Sequence, residues 1–148
     1  MDRTPALARV GPQRGRLRDA LVVFQLAAED RGRPRDEWVA TVRRALAGLD
    51  DAWHEHVEFT EAPNGLFDEL LDDSVEVAPD IDHLRREHTS VAAAMTRAGE
   101  LMRSDSAGPD DAKLAQSLSG VVKQVEQHRR RGADLLYQVY SVDLSAGD

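Results

Sequence analysis

The chain contains no cysteine. That excludes disulfides, thiolate metal ligands, iron–sulfur clusters and cysteine nucleophiles. Lysine is nearly absent: of 19 basic residues, only Lys113 and Lys123 are lysine, and the rest are arginine. Positive charge is not in excess either. The formal net charge is −8, whereas a nucleic-acid binder shows a basic surplus or stripe. Arg14, Arg16, Arg18 and the run Arg129, Arg130, Arg131 are local groupings that read as solvated helix surface. No apolar run approaches the ~18 residues that a membrane helix needs. The first residues carry charge but no apolar core of a signal peptide, so a cytoplasmic protein is expected, with no membrane or nucleic acid among its partners.

Motifs of common enzymes are missing as well. There is no glycine-rich phosphate loop, no nucleophile elbow and no His-Glu-x-x-His zinc helix. His54, Glu55 and His56 form a His-Glu-His triplet, which lacks that zinc spacing. The acid pairs Asp72/Asp73 and Asp110/Asp111 fall in connections or at helix starts, where the helix dipole accounts for them. No enzyme class is indicated.

What remains is a strong helical pattern. The 148 residues, 41% of them apolar, are enough for one domain with a real core. Apolar residues recur every three or four positions in four segments. The first is expected over residues 16–30, with Leu17, Leu21, Phe24 and Ala28 on one face. Gly11 and Pro12 are read as closing a loose segment over residues 1–14. The second runs from 35 towards 61, with Trp38, Val42, Ala45, Leu49, Trp53 and His56 in phase. Pro63, Asn64 and Gly65 kink or stop it, which leaves open one kinked helix or a short extra helix over 66–71. Asp80 is a good N-cap for the third, whose stripe is Ile81, Leu84, His88, Val91, Met95, Ala98 and Met102. The fourth starts at Pro109 and carries Leu114, Leu118, Val121, Val125, His128 and Leu135. A C-terminal tail is expected over 141–148. Short connections between long helices predict an all-α, up-down antiparallel four-helix bundle over residues 15–140.

Three of the five histidines, His56, His88 and His128, fall in phase with the apolar stripe of a different helix. In an up-down arrangement they also lie at the same end of the bundle. Neutral imidazole is a good ligand for transition metals, and three histidines plus a water make an open site. His54 and His83 fall on polar faces and are expected to be exposed.

The stretches WHEHVEFTEAPNGLFDELL, DHLRREHTSV and EQHRRRGADLLYQVYSVD resemble a hemerythrin-like (HHE cation-binding) bundle. The resemblance covers roughly residues 16–143 and implies that bundle fold. It matches His56, His88 and His128 to histidines of the family's second, third and fourth helices. It also implies carboxylates four residues after the second- and fourth-helix histidines, but these positions hold Thr60 and Gly132. Glu61, one residue on, is the candidate additional ligand. Asp134 lies about 240° around the helix from His128, at 100° per residue, and is a poor substitute. The first helix has no histidine.

Two readings follow. In the first, the chain is a hemerythrin-like metal-binding protein with a reduced, mononuclear site of His56, His88 and His128, with Glu61 as an extra ligand. It holds one ion, iron or alternatively zinc, and serves redox or gas sensing or metal handling. In the second, it is a metal-free acidic bundle that binds a protein partner or forms a homodimer, with the histidines as core residues.

Overall fold

A computed structural model describes residues 5–103 and 111–141. Every regular element among the described residues is helical: α1 (Ala6–Glu29), α2 (Arg35–Glu61), the short α3 (Leu66–Asp73), a 3-10 turn (Val75–Val77), α4 (Ala78–Arg103) and α5 (Asp111–Tyr140). None is long and apolar enough to cross a membrane. The expected loop over 104–109 and tail over 142–148 lie outside the described residues.

The four long helices follow the three/four spacing of the sequence. Trp38, Trp53, Leu84, Met95, Val121 and Val125 are all buried. Packing contacts join α1 to α2, α2 to α4, α4 to α5 and α5 back to α1. Two apolar clusters result. The larger is built around Phe24, Trp38, Leu49, Trp53, Val91, Met95 and Val125. The smaller gathers Ala6 and Val10 with Leu66, Phe67, Leu70, Ile81, Leu84 and Leu136. His56, His88 and His128 sit where the two clusters meet, each flanked along its helix by members of one or both.

From Ala6 onwards the structure corrects the expectation of a loose segment over 1–14, of which residues 1–4 lie outside the described residues. Helix α1 begins at Ala6 and runs through Pro12. The reason is tertiary. Glu69 of α3 accepts hydrogen bonds from the amides of Ala6 (2.5 Å) and Leu7 (3.0 Å). A carboxylate at a helix N-terminus satisfies orphan donors and complements the dipole. Ala6 and Val10 then bury in the smaller cluster. Nothing local to Pro12 announces a cap at Glu69, 63 residues from Ala6.

The question of one kinked helix or two is answered at Pro63. Helix α2 ends at Glu61 and α3 starts at Leu66. Asn64 takes a left-handed φ of 62°, which asparagine tolerates better than most residues. Gly65 has no room for a side chain: an added Cβ would lie 2.7 Å from the Phe59 carbonyl oxygen and 2.8 Å from that of Ala62. Gly65→Ala is therefore expected to lower stability by about 1–3 kcal/mol through forced backbone shifts. Thermal unfolding checks it; an unchanged midpoint would mean that the turn relaxes freely.

Helix α4 starts three residues earlier than an N-cap at Asp80 predicts. Pro79 and Asp80 occupy its first turn, where a missing donor is harmless and an acid is favourable.

Candidate metal centre

Helix α2 supplies His56, α4 supplies His88 and α5 supplies His128. They are 8%, 3% and 3% exposed. His54 and His83 have side chains 74% and 51% exposed, as their helical phase predicts. One nitrogen from each buried ring lies within 4.8 Å of the other two. The Nε2 atoms of His56 and His128 are 3.0 Å apart. For comparison, two imidazole nitrogens on one tetrahedral zinc, at ~2.0–2.1 Å each, are separated by roughly 3.3 Å.

The opposite edge of each ring has its own acceptor. The Nδ1 of His88 lies 2.5 Å from Glu61 Oε2, and the Nδ1 of His128 lies 2.9 Å from Glu87 Oε1. The Nδ1 of His56 lies 3.3 Å from Gln13 Oε1. A carboxylate only accepts, so His88 and His128 donate from Nδ1. With Gln13 oriented as placed, His56 does the same. In the neutral ring the lone pair is then on Nε2. The Nε2 atoms of His56 and His128 thereby face each other, and the Nε2 of His88 is buried.

Burial keeps the rings neutral. Desolvation is the first cause in all three. It pushes His56 well below the usual imidazole range, helped by repulsion from His128, His88, Arg14 and Arg129. His128 is pushed down to about 3 by desolvation, with added repulsion from His88, Arg14 and His83. His88 is also lowered, although its hydrogen bond to Glu61 works in the other direction. Neutral imidazole is the form that binds metal.

Aromatic rings hold the rosette in place. The Trp53 ring lies 5.2, 5.5 and 5.0 Å from the centroids of His56, His88 and His128. Its indole N–H donates to the His88 carbonyl at 3.3 Å. Phe67 of α3 stacks on His88 at 5.7 Å. Rigid packing of this kind fixes ligand rotamers, which a metal site requires.

The structure brings His56, His88 and His128 together. It places Glu61 behind His88, on Nδ1. The Thr60 hydroxyl lies 3.1 Å from the His56 carbonyl and 3.0 Å from that of Val57, so it donates back into its own helix. Three residues of this neighbourhood escape a reading of the sequence. Glu87 looks like a partner for exposed His83 on a polar face, yet it bonds His128, pairs with Arg131 and lies 3.5 Å from His83. Gln13 and Arg14, one expected in a loose segment and the other on a solvated surface, are 2% and 6% exposed. For Glu87 a signal exists: it precedes a stripe histidine by one residue, at the edge of the apolar face. For Gln13 and Arg14 no local signal exists, because their burial depends on α1 being extended by Glu69.

The chain matches no protein-family model, no curated protein and no solved structure.

Proposed function

We propose that this protein binds a single transition-metal ion through the Nε2 atoms of His56, His88 and His128, in a hemerythrin-like, up-down four-helix bundle. The observation that carries this reading is the convergence of the three rings, with His88 Nε2 buried and lacking any hydrogen-bond partner among the described residues. An unpartnered polar atom in a core is costly, and a cation between the three lone pairs relieves the cost for all of them at once. The Nδ1 partners support it further, since metal-bound histidines generally donate their other N–H to a carboxylate or carbonyl. Glu61 and Glu87 orient the rings and offset the ion's charge. Three imidazoles leave one position open, which suits sensing, redox use or metal handling. Iron is the first candidate and zinc the second, as imidazole ligands suit both.

The set does not favour two ions. A dinuclear centre needs anionic bridges, and the positions where the resemblance expects them hold Thr60 and Gly132. Two ions without bridging anions would leave uncompensated charge in a low-dielectric core. The metal-free alternative draws on the same 3.0 Å contact: with the proton of His56 on Nε2, it is a hydrogen bond to His128. His88 Nε2 remains unsatisfied even then.

Elemental analysis of protein purified without a histidine tag, followed by titration with iron(II) and zinc, tests the proposal. One ion per chain is expected, with a change in Trp53 fluorescence that saturates at that ratio. Two irons per chain with an oxo-bridge absorption would refute the mononuclear site. No uptake of either ion would favour the metal-free module.

A further inference from the structure

Helix α1 differs from the other long helices in where its apolar side chains go. Helices α2, α4 and α5 each keep them mainly to one inward face, whereas those of α1 are spread around the helix. Of the five large apolar residues exposed among the described ones, three lie on adjacent turns of α1: Val22 (46%), Val23 (58%) and Leu26 (62%). At helical spacing they form one patch. Leu17, Leu21 and Phe24 are buried on the other side, where α1 packs against its neighbours in the bundle. Single exposed apolar residues are ordinary. A contiguous patch on a helix that is apolar on both sides marks a second covered face.

The charges of the same helix run in one direction. Its basic residues, Arg9, Arg14, Arg16 and Arg18, all precede its acids, Asp19 and Glu29, and Asp30 follows its end. Laid antiparallel against a second α1, such a helix sets its basic half beside the acidic end of its copy. We propose that the outer face of α1 is a homodimer interface, in which two copies of this chain pack α1 antiparallel about a two-fold axis near Val23. A two-fold interface is isologous, so every contact off the axis occurs twice. Val22 of one protomer then meets Leu26 of the other, and Val23 meets its own copy. Arg18, Val22, Gln25 and Glu29 follow one another at spacings of four, three and four along one edge of the patch, and an antiparallel pair sets that edge against its copy. Arg18 and Glu29 lie at nearly equal distances on either side of the axis, so each Arg18 reaches the Glu29 of the other protomer. This needs no spare charge on Arg18, which keeps its 2.9 Å bond to Asp19 and its other contacts within the chain. A formal charge of −8 makes two copies repel over most approaches, and this face offsets that with an apolar patch between opposite charges. The dimer requires no metal, since α1 contains no histidine. A contact through a single helix falls at the small end of specific interfaces, below about 1,200 Å² in total, so a dissociation constant on the order of tens of micromolar is expected.

Sedimentation equilibrium of the full chain at roughly 1 µM to 1 mM reads the oligomeric state, and circular dichroism checks that each variant folds. The wild type is expected to pass from monomer to dimer over that range. Leu26→Asp places a charge in the apolar contact and should weaken association about ten-fold or more. Arg18→Glu and Glu29→Arg should each weaken it as well, because each sets like charges against one another at both ends of the interface. Mixed together, those two variants should associate as a heterodimer with close to wild-type strength, since the mixed pair has opposite charges at both contacts. A purely structural role for either residue within its own chain predicts no such rescue. A wild type that stays monomeric across the range overturns the proposal. So does association of wild-type strength in Leu26→Asp, or a mixture that associates no better than its two components.

Discussion

His88→Ala is expected to weaken metal binding by on the order of a hundred-fold or more, while His83→Ala changes it by less than about two-fold. Loss of an orienting partner alone commonly costs 10–100-fold, and loss of a ligand should exceed that. Of the three proposed ligands, His88 is the most informative to remove because its Nε2 has no hydrogen-bond partner among the described residues. His83 is only five residues earlier on α4, but its side chain is 51% exposed and meets the outer edge of the site through Glu87. The pair separates a site at the buried rings from adventitious binding to surface histidine. Isothermal titration with zinc reads the result. Equal losses in both variants would place the metal elsewhere. Glu87→Gln keeps an acceptor on His128 but removes its charge, so its effect should fall between those of the two histidine variants.

Acid should unfold the metal-free protein through the same three rings. A histidine in the unfolded chain titrates near 6.5, whereas His56, His88 and His128 are all lowered by burial, His128 to about 3. Below pH ~6.5 the unfolded state binds protons that the folded state refuses, so stability falls as pH falls. The histidine contribution is complete above that pH. It is lost progressively between about pH 6.5 and the folded-state values, at ~1.4 kcal/mol per pH unit for each ring still neutral in the fold. Denaturant melts at pH 7.5 and 5.5 should differ by a few kcal/mol. A His56→Phe, His88→Phe, His128→Phe variant that still folds should lose most of that difference. Bound metal should deepen the dependence, because protons compete with it for Nε2. A melt independent of pH over this range would mean that the rings are hydrated or charged in the folded protein.

The helices were legible because burial has a period. Trp38, Val42, Leu49 and Trp53 on α2, and Leu84, His88, Val91 and Met95 on α4, mark one face each, and those faces are buried. The same phase separated His56, His88 and His128 from His54 and His83 without any knowledge of the fold. Pro63 and Gly65 marked the break after α2 because their backbone chemistry is local. Three histidines on three stripes therefore declared a shared interior before any contact was known.

The acceptors behind those histidines were a different matter. Gln13 reaches His56 across 43 positions and Glu87 reaches His128 across 41, so each is a polar residue whose role depends on a neighbouring helix. The start of α1 depends on Glu69, 63 residues from Ala6, and with it the burial of Gln13 and Arg14. Periodicity reports which side of a helix faces inward, since that preference is summed residue by residue along one segment. It carries nothing about which side chain of another helix lies opposite. The apolar faces and the inward turn of the three imidazoles thus belong to the sequence. The tautomers, the capped α1 and the burial of Gln13 exist only where the helices meet, because a hydrogen bond or a charge pair is a property of two partners and their distance.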